Sequence, residues 1–191
     1  MKKIDCIFYL FDNHIDVYSF KYKKLNTYEC SHSIFEGRII KPKVFIKKIN
    51  EILKEEKISK ILMSQSAIVL YQPHLKYVDK KTIIDSFEQC NFKDIKLINT
   101  KELARNNYIE LNDNYLVFYK KKSYTMIHFN SYFTISMFFK ELSKKNMEDI
   151  YLLGKYEEIE KIAKDYQNIY YFENSTTFFI DKILEKLTRN C

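Results

Sequence analysis

Between residues 4 and 10 the chain is continuously apolar and rich in β-prone side chains. Residues 11–14 have turn composition, and residues 15–20 alternate again. The pattern predicts a hairpin, followed by a ragged third strand over 26–34. Pro42 then opens a helix, because its ring presets φ and its missing N–H is one that a helix start leaves unpaired. Phe45, Ile49, Ile52 and Leu53 recur at the spacing of one helical face. The run 57–63 predicts a short buried strand, and Asp79 is a good N-cap for a second helix carrying Ile83, Ile84 and Phe87. Ile95, Leu97 and Ile98 form another strand, and 100–105 a short helix.

The second half repeats this order. Residues 108–111, 115–119 and 124–129 read as three strands joined by Asn112-Asp113-Asn114 and Lys120-Lys121-Lys122. Ile135, Phe138, Phe139 and Leu142 share a helical face; 150–153 is a strand, Ile159 and Ile162 belong to a helix, and 169–172 is a strand. Asn174 or Ser175 caps a last helix bearing Phe179, Ile183, Leu184 and Leu187. Strands, helix, strand, helix, strand, helix thus occur twice, with a seam near residue 105 and no low-complexity linker. Two halves follow, 1–105 and 106–191, each a mixed sheet flanked by helices. The repetition is of pattern, not of residue identity.

Composition narrows the chemistry. The 191 residues hold only 2 Gly and 2 Pro. Loops that cradle phosphates need Gly, which alone takes φ > 0 without strain and lets backbone N–H groups approach an anion. With Gly37 and Gly154 as the whole supply, no Walker loop, dinucleotide fingerprint or kinase-type loop can be written. Tyr (16) and Phe (15) are abundant, but Lys, Asn and Ile are frequent too, as in AT-rich coding, so the aromatics do not by themselves argue for base stacking. The net charge of +7 permits an acidic partner or nucleic acid, but the lysines are scattered. The densest cluster, Lys120-Lys121-Lys122, reads as a solvated turn rather than a binding patch.

Cys6, Cys30, Cys90 and Cys191 show no CxxC spacing and no ligand spacing with the four His, so neither a metal nor a redox pair is expected. Cys6 and Cys90 read as buried thiols. The basic start precedes an apolar run too short for a signal peptide, and no stretch approaches the ~20 apolar residues of a membrane span. A cytoplasmic protein is expected. Glu110 with Asp113 has the oxygens for Mg²⁺, but a strand-end carboxylate and a turn Asp describe them as well. Asp12-Asn13-His14 reads as a hairpin turn. Ser64-Gln65-Ser66, placed after a buried strand, occupies a loop position where open α/β sheets bind ligands, with no base or nucleophile beside it. The aromatics of 115–139 and the amphipathic helix 175–189 read as core.

Several segments resemble the bacterial actin-like family, whose members act in rod shape, cell division and pilus assembly. Gly37-Arg38-Ile39-Ile40 before the helix of Phe45 is similar to the family's G-x-I passage. Asp85-Ser86 and Leu97-Ile98 sit where it has a D-S helix and the strand before its E-P pair. Leu152-Leu153-Gly154 resembles the strand and glycine turn that hold adenosine in active members. The resemblance implies a duplicated ribonuclease-H-like α/β fold with mixed five-stranded sheets, a minimal actin-like form with no room for the outer subdomains.

The same alignment shows what is missing. The first phosphate hairpin, D-x-G-T, falls on Tyr9-Leu10-Phe11-Asp12, without its first acid or its Gly. The second, D-x-G-G-G-T, falls on Glu110-Leu111-Asn112-Asp113-Asn114, where an acid survives and every Gly is gone. The catalytic acid falls near Asn99-Thr100, and of the adenosine-site glycines only Gly154 remains. Asn and Asp tolerate the left-handed region, so these turns can form without cradling an anion. The resemblance therefore implies a pseudo-ATPase without cofactor, a scaffold or adaptor of a cell-shape, division or envelope/pilus assembly working through protein partners or self-association. A basic nucleic-acid-binding module and a residual nucleotide-binding ATPase are the alternative expectations.

Overall fold

The structure is a computed structural model that describes residues 4–11, 13–30, 32–58, 65–104, 107–111, 115–120, 123–128, 132–143, 149–154 and 169–188. The chain divides into two compact units, Met1–Thr100 and Lys101–Cys191.

In the first unit β1 (Cys6–Leu10), β2 (His14–Ser19) and β3 (Lys24–Glu29) form an antiparallel meander. The short hairpin β4 (Ile34–Phe35) and β5 (Arg38–Ile39) leads into α1 (Pro42–Glu55). Then β6 (Gln65–Tyr71) pairs parallel with β1, α2 (Tyr77–Gln89) crosses back, and β7 (Phe92–Asn99) pairs parallel with β6. The sheet order is β3-β2-β1-β6-β7. One face of that sheet meets both helices. Cys6, Phe8, Leu10 and Val69 pack with Phe45, Ile49, Ile52 and Leu53 of α1 and with Ile83 and Phe87 of α2. A strand with apolar side chains on both faces is the usual form of a central parallel strand, and all seven residues of β6 are buried.

The second unit has the same topology. After the short α3 (Thr100–Ala104), β8 (Asn107–Leu111), β9 (Tyr115–Tyr119) and β10 (Tyr124–His128) form a meander. α4 (Tyr132–Ser143) follows; β11 (Ile150–Leu153) pairs parallel with β8, β12 (Ile169–Phe172) parallel with β11, and α5 (Ser175–Thr188) closes the unit. The order β10-β9-β8-β11-β12 repeats that of the first sheet. Ile109, Leu111, Leu116, Phe118, Ile150 and Leu152 pack with Phe139 and Leu142 of α4. On α5, Phe178, Phe179, Ile180 and Ile183 are buried, and Tyr108 meets Phe179 edge-on at 5.7 Å. The amide nitrogen of Thr177 donates to Asn174 Oδ1 at 2.9 Å, so Asn174 caps the helix.

The duplicated α/β architecture expected from the pattern is the one found. Two local expectations are corrected. The central strand of the first unit is 65–71, so Gln65 and Ser66 are buried strand residues and not a ligand loop; Ser64, and residues 59–63 of the strand expected over 57–63, lie outside the described residues. Asp5 pairs with the backbone at the start of β6: Ser66 N donates to Asp5 Oδ2 at 3.0 Å, and Asp5 N donates to Ser66 O at 3.0 Å. Asp79 is not the N-cap of α2 but its third residue, reaching back to the amide of Lys76 at 2.8 Å. The helix expected around Ile159 and Ile162 lies outside the described residues.

Turns that Gly would usually serve are made by other residues. Asn13, Lys23, Glu36, Lys57 and Asn91 all take φ between 50° and 71°. Scarcity of glycine is therefore general in this chain. What distinguishes the two glycines that remain is space: each lies against atoms that a Cβ would strike. Cys6, Cys30 and Cys90 are buried thiols, none of them in a disulfide; burial raises the Cys6 thiol far above its ordinary value and pushes that of Cys30 up to about 11. No described helix is long and apolar enough to cross a membrane.

Candidate functional site

In each unit the parallel strands end on one edge, where the fold would present loops to a ligand. In the first unit that edge gathers the end of β1, the glycine of the β4–β5 hairpin, and the residues after β6 and β7. Tyr9 is fully buried and its ring lies 4.0 Å from that of Phe11. Phe11 in turn stacks on His14 at 4.6 Å with the planes 12° apart, and its amide donates to His14 O at 3.0 Å. The first hairpin is thus closed by an aromatic stack. Asp12, aligned with the hairpin's last residue, lies outside the described residues.

Beside it, Gln72 follows β6 and is 0% exposed, with neither Nε2 nor Oε1 in a hydrogen bond. Its amide tip fills the space beside the Cα of Gly37, which has φ +73°; a Cβ there would strike Gln72 and come within 3.5 Å of Leu10 O. Gly37 has no room for a side chain while Gln72 fills this corner. His74 is buried, and its Nε2 is 3.1 Å from Glu36 O. Arg38 lies 3.7 Å from Glu36 and 3.9 Å from Asp79. Thr100, aligned with the catalytic acid, is fully buried and donates to Tyr71 O at 3.3 Å.

Burial, the largest effect, holds His74 below its ordinary value of 6.5, with the hydrogen bond to Glu36 O opposing and the positive charge of Arg38 assisting. The unfolded chain therefore binds this proton more readily than the folded one. Stability is full above 6.5 and is lost progressively as pH falls below it. Urea unfolding at pH 7.5 and pH 5.5 should show this drop, and His74→Gln should flatten it.

In the second unit Glu110 is 0% exposed on β8, beside Leu153 of β11 and Val117 of β9. Asn112, Asp113 and Asn114 lie outside the described residues. Gly154 follows β11 with φ +118°, and its amide donates to Phe172 O at 3.0 Å. A Cβ on Gly154 would stand 2.8 Å from Leu111 O and 3.0 Å from Leu111 Cβ. The one glycine aligned with the adenosine turn is thus packed directly on the end of β8. Among the described residues no three His, Cys, Asp or Glu side chains group as a metal site would.

A groove that nothing in the sequence announced lies elsewhere, along the edge strand β3 and the C-terminal end of α1. It measures about 500 Å³ and is lined by Tyr22, Lys24, Asn26, Tyr28, Glu56 and Lys57 among others. Glu56 accepts hydrogen bonds from Asn26 Nδ2 and Tyr28 Oη. Burial first, and then this bond and the charge of Glu56, hold the Tyr28 phenol well above its ordinary value.

No protein-family model matches the sequence, and no curated protein matches it. Solved structures do. The ethanolamine utilization protein EutJ from Carboxydothermus hydrogenoformans superposes with a TM-score of 0.60 at 9% identity, over 90% of this chain and 85% of that one. MreB 5 of Spiroplasma citri bound to AMPPNP superposes with a TM-score of 0.50 at 7% identity, over 73% of this chain and 55% of that one. At such identities the likeness speaks to the fold alone. The chain has the duplicated ribonuclease-H-like, actin-like fold that its sequence pattern resembles.

Proposed function

From this fold we propose that the chain is a catalytically silent actin-like protein that acts through protein–protein contacts. The observation that carries the reading is the filling of the strand-end edge. Gln72 occupies the corner beside Gly37, and Leu111 lies against Gly154. Phosphate binding in such a fold needs backbone N–H groups facing open space at these turns. Here side chains and carbonyls take that space. Thr100, which has no ionisable group to orient an attacking water, stands in place of an acid and spends its hydroxyl on Tyr71 O.

MreB 5 of Spiroplasma citri is a nucleotide-bound protein of the same fold, seen with AMPPNP. The present chain keeps the framework and closes the site. Such a protein keeps two folded units whose surfaces can hold partners, in a cytoplasmic assembly of the kind actin-like proteins serve. The reading predicts that Mg-ATP, a ligand that would bind only the folded state, does not raise the melting temperature.

A further inference from the structure

The two helices on the first sheet both start at the edge where β1 and β6 end, because each runs antiparallel to the strand it precedes or follows. Around those starts stand apolar side chains that the core does not use. Tyr77 and Val78, in the first turn of α2, are 79% and 71% exposed. Phe35 on the β4–β5 hairpin, Ile40 just before α1 and Val44 in its first turn are each about half exposed. These elements are held together. α1 packs on α2 and α2 on β5, Phe35 sits opposite Arg38 in the hairpin, and Arg38 reaches Asp79 in the first turn of α2. Half of the large apolar side chains exposed among the described residues thus fall in two short stretches, 35–44 and 77–78.

The charges beside them are mostly of one sign. Lys41, Lys43, Lys76 and Lys81 are exposed on the same helix starts. The neighbouring acids, Glu36 and Asp79, both lie within ion-pair distance of Arg38. α1 begins with no acid in its first turn and no side-chain cap, so its positive dipole end adds to the field of the lysines. Apolar and aromatic anchors around a positioned Arg, with Lys at the rim, is the composition of a protein interface. It is not that of a bilayer anchor, which presents one helix face and not three elements braced against one another. A second copy of a chain carrying +7 would bring the same lysines against themselves.

We propose that this end of the first unit, Phe35, Ile40, Val44, Tyr77 and Val78 ringed by lysines, is the docking surface for an acidic, apolar segment of a partner protein. The proposal rests on the partner-binding reading above and names its surface.

The test is a displayed library of random peptides selected on the whole chain, followed by fluorescence anisotropy of the enriched sequences. Peptides that alternate Asp or Glu with Leu, Ile or Phe are expected. Their affinity should fall about tenfold or more with Tyr77→Ser and Val78→Ser together, and likewise with Lys41→Glu and Lys43→Glu together. Tyr124→Ser, an exposed tyrosine of the second unit, should leave it unchanged. All of the altered side chains are exposed, so the variants should melt as the parent does. Enriched peptides without acids, or acidic ones indifferent to these changes, overturn the proposal. So does binding of phosphatidylserine vesicles through the same residues without any peptide binding, or a monomer–dimer equilibrium abolished by the same variants. Any of those results removes this surface and leaves the silent-site reading standing; only nucleotide binding removes the latter.

Discussion

Phe87→Ala is expected to lower the unfolding free energy of the first unit by about 3–5 kcal/mol. Phe87 is fully buried on α2 and joins three elements of the core. Its ring meets Phe8 of β1 at 4.8 Å, Phe45 of α1 at 5.8 Å and Phe92 of β7 at 5.6 Å. Truncation removes transfer free energy and leaves a cavity whose walls belong to a sheet and two helices and so collapse poorly. Edge-to-face geometry with Phe8 and Phe45 adds a smaller loss. Urea unfolding followed by circular dichroism measures the effect as a lower midpoint. An unchanged midpoint would show that the α1–α2 layer does not pack on the sheet as described.

Gly154→Ala is expected to cost about 2–5 kcal/mol, from backbone strain and overpacking together. Its φ of +118° lies where L side chains rarely go, and the new Cβ would stand 2.8 Å from Leu111 O. Backbone of a central strand cannot swing aside. Gly37→Ala is the internal comparison and should cost less. Its φ of +73° is near the left-handed region that other residues of this chain already occupy, and the struck atoms are the tip of the Gln72 side chain. Thermal melting of the two variants side by side checks the order. Equal, small losses would mean that Gly154 is retained for some reason other than its contact with β8.

Much of the fold was legible because its signals are local. The Pro42 start of α1 and its Phe45–Ile49–Ile52–Leu53 face, the strands 115–119, 150–153 and 169–172, and the Asn174 cap all follow from spacing and end chemistry within one segment. Periodicity failed at β6. A central parallel strand has no polar face to mark its phase, and the Ser66 backbone at its polar start is paired by Asp5, sixty-one positions away. The doubled order pointed correctly to the actin-like fold.

The site was legible only in part. Alignment of the missing glycines identified the turns to inspect, and Tyr9, Phe11, Thr100, Glu110 and Gly154 are all buried or packed at strand ends. Gln72 was missed altogether, since a glutamine after an apolar run looks like any polar strand end. Only the fold brings it against Gly37. Glycine scarcity proved a weaker signal than it first looks, because Asn, Lys and Glu take positive φ in ordinary turns as well. The groove at β3 and the apolar helix starts depend on which faces the tertiary packing leaves open, and no single segment encodes that.

The central claim is that this actin-like framework no longer accepts a nucleotide. Melting of the whole chain in Mg-ATP, from zero to millimolar, tests it most directly. A ligand present at 100 times its dissociation constant stabilises the folded state by about 2.7 kcal/mol, which moves the melting temperature of a unit this size by roughly 4–8 °C. The account predicts a melting temperature flat to within about 1 °C across the titration. A saturable rise of several degrees, reproduced with AMPPNP and abolished without Mg²⁺, would contradict it.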